Sequence, residues 1–400
     1  MTARLVLYDD ARARALEPFA LTRPAGELRA GAELVRRRWE RAAGITASAF
    51  AGAAHLAGFA EAGTPGPATG TLPADTIVVN TRCAPALDAR LGDARAWRAG
   101  GRVAAVRLGA ALDTERLADG SLALDSLAEA GPADLPAWWI DDVWDLVRHL
   151  QEMLTADVAV LGPEEGSEPP AQLTVLGEHA AYVARGAYVE PYTLADTSAG
   201  PLLVRRGARI AAFTRLVGPC VIGEDTLVGG GRLTGCSIGE GARVHGEMST
   251  SIIVGHANKA HEGFVGHSVV GRWANLGAGT ITSNLKNSYG EVSLWTPRGT
   301  ERTGLRFLGA FIGDHAKTGI GTRLTTGCVV GAGANVFGSA MPPKFVPPFA
   351  WGDVPPFSAF ALEKFLEVAG RVMERRGVTL DAGMRGALSE AWARRTAFHA

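Results

Sequence analysis

Cysteine is scarce in this 400-residue chain: Cys83, Cys220, Cys236 and Cys328 stand far apart. They lack both the close pairing of a metal site and the dense spacing of a disulfide framework, and they read as four reduced thiols. Neither sign of charge dominates. Forty Lys and Arg against 41 Asp and Glu leave a formal net charge of -1, so no global field draws the chain to nucleic acid or to an anionic membrane. Long apolar runs are missing too. The opening MTARLVLYDD is too short in apolar residues for a signal peptide, and no later segment approaches the roughly 20 residues that span a bilayer. The expectation is a cytoplasmic protein whose partners are small molecules.

Glycine, by contrast, is plentiful, and its placement beside aliphatic residues uncovers a repeat. Val204, Ile210, Leu216, Ile222 and Val228 fall six apart; Phe264, Val270, Leu276 and Thr282 do so after a less regular patch; Ile312, Thr318, Leu324, Val330 and Val336 restore the step. An amphipathic helix repeats every 3.6 residues and a strand every two, so neither accounts for a sustained six. A parallel β-helix does, each hexapeptide giving one short strand with an inward aliphatic side chain and one turn that a small residue allows. Three such faces close a coil of about 18 residues, and stacked coils bury a continuous column.

Residues 1–172 have a different texture. Leu5 to Tyr8, Thr76 to Asn80 and Val103 to Leu108 are short apolar runs typical of buried strands, whereas Glu33 to Arg41 and Val143 to Leu154 have helical spacing. Alternating strands and helices predict a Rossmann-like α/β domain with its ligand at the carboxyl ends of the strands, where Asp9, Asp10, Asn80 and Thr81 fall. GPEEGSEPPAQ at 162–172 reads as a linker. The β-helix is expected over 173–345. The run MPPKFVPPFAWGDVPPF ends it, because proline cannot donate to a ladder, and residues 346–400 hold this exit and a helical cap.

One stretch of the repeat, Asn258 to Lys286, reads NKAHEGFVGHSVVGRWANLGAGTITSNLK. Most histidines in turns are solvated or bond a nearby carbonyl. His261 stands out because Asn258, Lys259 and Glu262 surround it, while Asn275 and Asn284 follow at 14 and 23 residues, compatible with adjacent coils. An imidazole accepts a proton from an amine near neutral pH, which few other side chains do unperturbed.

This stretch resembles the acetyltransferase domain of the bacterial bifunctional enzymes that acetylate glucosamine 1-phosphate and then uridylylate it. In that family a catalytic histidine precedes an N-x-G-A-G-T-I-T-x-N motif by a fixed interval, and NLGAGTITSN lies at that interval after His261. A subgroup of such proteins is matched along nearly the whole chain by TRPAGEL, ANKAH, SNLKNSYG and GSAMPPKF. The resemblance implies a left-handed β-helix with His261 as general base. Asn258, Lys259, Asn275, Asn284 and Lys286 would bind the sugar phosphate, and Ala278, Gly279 and Gly338 would lie along acetyl-CoA. It also implies a homotrimer with sites shared between subunits.

The chain departs from the family pattern at Ser249, where a basic residue is the norm, and at Phe264, where a tyrosine is. Lys286, Lys259, Arg298 and Arg302 are the candidates to replace the lost phosphate contact. Between Asn284 and Ile312 the chain is also longer than the family's, and TPRGTERTG inside GEVSLW…LRFLGAFIG predicts a protruding hairpin.

A sugar-phosphate nucleotidyltransferase normally opens with a strand and a G-x-G-T-R loop whose N–H groups approach phosphates. Here LYDDARARALEPFALTRP stands in that place. By resemblance Arg14, Arg23 and Asn80 are nucleotide-binding candidates, but the glycines are absent. Asp9 and Asp10 are the candidates to hold Mg2+, since hard cations take carboxylate oxygen, and the nucleoside triphosphate is the expected co-substrate.

Two other readings remain. His256 and His261 have the five-residue separation that gamma carbonic anhydrases use for two zinc ligands. The solenoid also suits a non-catalytic trimeric binding module behind a degenerate first domain.

Overall fold

A computed structural model of the chain describes residues 4–128 and 131–398. Contacts divide it into two compact units, Met1–Asp145 with Leu380–Arg394 and Leu146–Thr379 with Arg395–Ala400.

The first unit is built on a mixed six-stranded sheet in the order Ala133–Asp134, Ala96–Ala99, Arg102–Arg107, Ile77–Asn80, Leu5–Tyr8, Ala49–Ala51. Leu5–Tyr8 lies between two parallel neighbours, Ala49–Ala51 and Ile77–Asn80, whereas Arg102–Arg107 runs antiparallel to Ile77–Asn80. The three apolar runs read from the sequence are thus central strands. Fewer helices connect them than the alternation suggested: between Leu5–Tyr8 and Ala49–Ala51 the 3-10 turns Ala13–Ala15 and Ala25–Glu27 precede the α-helix Val35–Ala43, and the connection on to Ile77–Asn80 carries the 3-10 turn Ala54–Leu56 in place of a helix. Carboxyl ends of the parallel strands carry Asp9, Gly52 and Asn80.

In the second unit, a left-handed solenoid of about 10 turns occupies 173–351. Ile222, Ile238, Ile253, Val270, Ile312, Val330 and Val346 form one inward column, paired coil to coil in register and fully buried. The regular hexads at 204–228 and 312–336 all point inward as the six-residue step requires. In between, the step shortens. Register shifts between Val228 and Gly231, where Gly231 holds φ 97° and a Cβ would stand 2.2 Å from the carbonyl oxygen of Gly246. Inward residues then run Val244, Met248, Ile253, Lys259, Val265, Val270. Phe264, assigned inward by counting sixes, is therefore half-buried on the outside, and Val265 takes its place.

A second consequence is that Lys259 falls on the inward column, in register with Val244. Threonines also point inward: on the same column Thr318 Oγ1 accepts the Gly277 N–H at 3.0 Å, and on the column of Leu324 Thr282 Oγ1 accepts that of Gly266 at 3.1 Å. These bonds keep the buried hydroxyls satisfied.

The coil holding Val269–Val270 pairs directly with Phe311–Ile312 although 42 residues separate them. The excess leaves the solenoid as the expected hairpin, Ser293–Thr296 against Gly299–Arg302. Trp295 of this hairpin stacks on Phe345, ring centroids 3.6 Å apart and planes 11° from parallel.

Two expectations need correction. The supposed linker begins inside a helix, Leu150–Glu165, which carries Pro163 in its last turn and packs on the strands Ala181–Val183 and Leu202–Val204. Gly162 permits that approach, since a Cβ there would meet the Tyr182 ring at 2.2 Å. Nor do the prolines end the ladder: Val329 and Gly331 donate to the carbonyls of Lys344 and Val346 at 2.7 and 2.8 Å. The last coil accepts these bonds through oxygen, so flanking prolines remove no donor the ladder uses. Beyond it, Leu362–Glu374 and Ala382–Ala393 are helices, the first closing the solenoid with Phe365 edge-on to Phe349.

Candidate functional site

At the strand ends of the first unit, carboxylates occupy the donors that a glycine-rich loop would offer to phosphate. Asp9 accepts from the Thr81 hydroxyl at 2.5 Å and the Ala25 N–H at 3.0 Å; burial pushes its pKa up to about 6, against these hydrogen bonds. Asp10 accepts from the Ala13 N–H, from Asn80 and from the Arg82 guanidinium at 2.6 Å. Burial alone would raise its pKa, but Arg82 and Asn80 outweigh it and hold it below the usual carboxylate value. Arg82 continues to Asp141 and lies over the Trp139 ring.

The expected nucleotide-binding residues serve the fold in this arrangement. Arg14 donates to the carbonyls of Asp9, Ala118 and Leu117. Arg23, 1% exposed, pairs with Glu61 at 3.2 Å, and Glu27 pairs with Arg36 at 2.5 Å. The TRPAGEL motif is thus the seat of two buried ion pairs. A separate cavity of about 270 Å³ opens beside the strand end at Phe50–Ala54, lined by small and apolar side chains with Thr69, Thr114 and Glu115.

In the solenoid, His261 stands exposed on a corner, and its ring has no partner among the described residues. Lys259 fixes the turn from within. Its ammonium donates to the carbonyl of His245 at 2.9 Å and to that of His261, and burial lowers its pKa to about 8, with Glu262 partly opposing. Glu262 itself turns to His245 Nε2 at 2.6 Å. On the next coil, the Gly279 N–H donates to the Glu262 carbonyl at 2.9 Å, and the Ala278 carbonyl accepts from Gly321 beyond. His261, Ala278 and Gly279 therefore line one edge of the prism. Gly338 lies farther along, against Asp353.

Asn258 and Asn275 are ladder neighbours on the outward face before that edge, their side chains bonded at 3.3 Å. Asn284 is directed elsewhere, to His267 Nδ1 at 2.8 Å. Of the candidates to replace the basic residue missing at Ser249, Arg298 is paired with Glu301, Arg302 with Glu291, and Lys286 donates to the Glu291 carbonyl. Lys259 is spent inside the coil. Cations that the sequence did not single out lie instead in two places: Arg323 and Lys344 join Lys286, Ser283 and Thr326 around a groove of about 650 Å³, and Lys317, Arg375 and Arg376 gather beside Asn258 and Asn275. Spacing gave no hint of either, because their members come from segments far apart in the chain.

Among the described residues no three of His, Cys, Asp or Glu come together as a metal centre. His256 stacks on Trp273, centroids 4.4 Å apart. Among the described residues no helix is long and apolar enough to cross a membrane.

Comparison with known proteins agrees with this architecture. Residues 5–164 match the family model of sugar nucleotidyl transferases. A bifunctional sugar-1-phosphate nucleotidylyltransferase/acetyltransferase of Sulfurisphaera tokodaii is 38% identical over 81 residues, 20% of each chain. The bifunctional protein GlmU of Methanococcus vannielii is 42% identical over 72 residues, 18% of this chain and 17% of that protein. The chain spans about a fifth of the length of these curated relatives. Residues 5–164 are therefore similar to sugar nucleotidyl transferases, and in the chain they precede a left-handed β-solenoid.

Proposed function

We propose that the solenoid transfers the acetyl group of acetyl-CoA to the amine of an amino-sugar phosphate, and that the first domain forms a nucleotide sugar such as UDP-N-acetylglucosamine for envelope synthesis. The observation that carries the first half is the edge formed by His261, Ala278 and Gly279: an exposed imidazole, unpartnered among the described residues, on a turn held by Lys259, one coil from a glycine-rich corner. As the amine attacks the thioester carbonyl, the new C–N bond forms and the C–S bond breaks. His261 takes the proton lost by nitrogen and passes it to the leaving thiolate. Donors around the corner would stabilise the tetrahedral oxyanion.

For nucleotidyl transfer the support is the family match. Asp9 and Asp10 do not fit a resident Mg2+, because all four oxygens already accept bonds from the protein. Their role in this proposal is to hold the strand ends.

A cytoplasmic homotrimer completes the reading. Ile320, 84% exposed, follows Ala278 along the His261 edge, and Tyr192 and Phe213 stack together while 78% exposed. A neighbouring subunit would bury such a surface and enclose the imidazole. Thiol release from acetyl-CoA with a panel of amino-sugar phosphates tests the solenoid, and pyrophosphate release from UTP and dTTP with sugar 1-phosphates tests the first domain. No turnover in either assay leaves a binding module.

A further inference from the structure

The outward face beside the His261 edge carries a pocket whose polar groups are mostly donors. It measures about 240 Å³ and is formed by His256, Asn258, Asn275 and Lys317 of the solenoid with Arg375 and Arg376, which follow the helix Leu362–Glu374. No carboxylate lines it, and the three cations enter no ion pair among the described residues. Arg376 donates from Nη2 to Asn258 Oδ1 at 2.6 Å, while its Nε is buried without a hydrogen-bond partner. An arginine cannot accept, so this bond fixes which way the Asn258 amide faces. Asn258 Nδ2 then donates to Asn275 Oδ1 at 3.3 Å, and the relay leaves the Asn275 amide nitrogen to bond something else.

Burial acts on both Arg376 and Lys317, and like charge adds to it at Arg376. Burial lowers the pKa of Arg376, and Arg243 and Arg375 lower it further; burial takes Lys317 down to about 8. A helix carboxyl end attracts cations, which accounts for arginines on that helix. It does not account for Lys317, brought to the same pocket from a solenoid strand. Uncompensated, partly desolvated cations with spare N–H donors are the arrangement that a multivalent oxyanion neutralises.

We propose that Lys317, Arg375 and Arg376, with the Asn258–Asn275 pair, form a phosphate-binding pocket that holds the phosphate of the acceptor sugar beside His261. The inference rests on the acetyl-transfer reading for its substrate, and it places the phosphate contact in the helix after the solenoid rather than at Ser249 or in the hairpin. Asn258 and Asn275 then act as the acceptor-side residues, their amides oriented by Arg376.

The test uses the full chain, with inorganic phosphate and an amino-sugar 1-phosphate as calorimetric probes. Arg376→Gln and Lys317→Met are each expected to weaken phosphate binding at least tenfold with an unchanged melting temperature, and Arg376→Lys to restore part of it. In the acetylation assay, KM for the phosphorylated acceptor rises at least tenfold in Arg376→Gln. KM for acetyl-CoA and for the unphosphorylated amino sugar stays the same. Phosphate that binds wild type and Arg376→Gln equally, or does not bind wild type, overturns the pocket, as does an equal KM rise for both acceptors. Loss of phosphate binding in the variants of a chain that acetylates no acceptor sustains the pocket and rejects the acetyl-transfer reading.

Discussion

The ammonium of Lys259 reaches from the inward column of the solenoid to the backbone carbonyl of His261, so the turn that presents the imidazole is anchored by a buried charge. Lys259→Met keeps the stem's packing and removes the donor. The expected result is a folded protein whose acetyl transfer falls at least tenfold, because a loosened corner misplaces His261. Stability carries a second signature. Burial depresses the folded pKa to about 8 from 10.5, so below pH 8 both states are protonated and the full cost is present. Between about 8 and 10.5 the unfolded chain holds the extra proton, and stability rises with pH by an amount on the order of 3 kcal/mol. Wild type should gain on Lys259→Met across that window in paired denaturation curves; parallel curves contradict the buried cation.

Arg82 ties Asp10 to Asp141, with 11% of its side chain exposed. Replacing it by Gln strands Asp10 at the end of the central strand, and a loss of about 3 kcal/mol is expected. Hydrogen exchange of the Leu5–Tyr8 amides reads it. Asp10 titrates below the ordinary carboxylate value because of this partner, so its contribution is present above about pH 4 and lost as the pH falls through the lowered pKa. The gap between variant and wild type therefore narrows in acid.

Trp295 fastens the inserted hairpin to the last coil through Phe345. Trp295→Ala removes the stacked pair and its buried area, a cost of about 2–3 kcal/mol. Faster exchange at Phe345 and Val346, with Val204 and Ile222 unchanged, is the outcome that identifies a local anchor. Unchanged exchange at Phe345 contradicts it.

Much of the solenoid was legible because neither a helix nor a plain strand repeats every six residues, and the hairpin because Asn284 and Ile312 lie too far apart for one coil. The phase between Val228 and Val270 was not, since glycines at 229–231 and short turns shift it without breaking the aliphatic pattern. That shift moves Phe264 out and Lys259 in, so a lysine read as a substrate contact belongs to the core. Asn258 and Asn275 could be paired from the coil length, whereas Lys317 and Arg376 could not: the inserted hairpin and the closing helix hide their proximity. In the first domain Arg23 reads as a nucleotide contact by resemblance, but Arg23 and Glu27 of the same TRPAGEL run are matched by Glu61 and Arg36, whose partnership no spacing rule supplies.

Acetyl transfer by wild type and His261→Ala, from acetyl-CoA to an amino-sugar 1-phosphate, tests the central claim most directly. The ring is exposed and bonds nothing among the described residues, so the substitution leaves the stability within about 0.5 kcal/mol of wild type. Turnover is expected to fall by about 10²–10⁴. Equal turnover in the two proteins would contradict the assignment of His261 as the base.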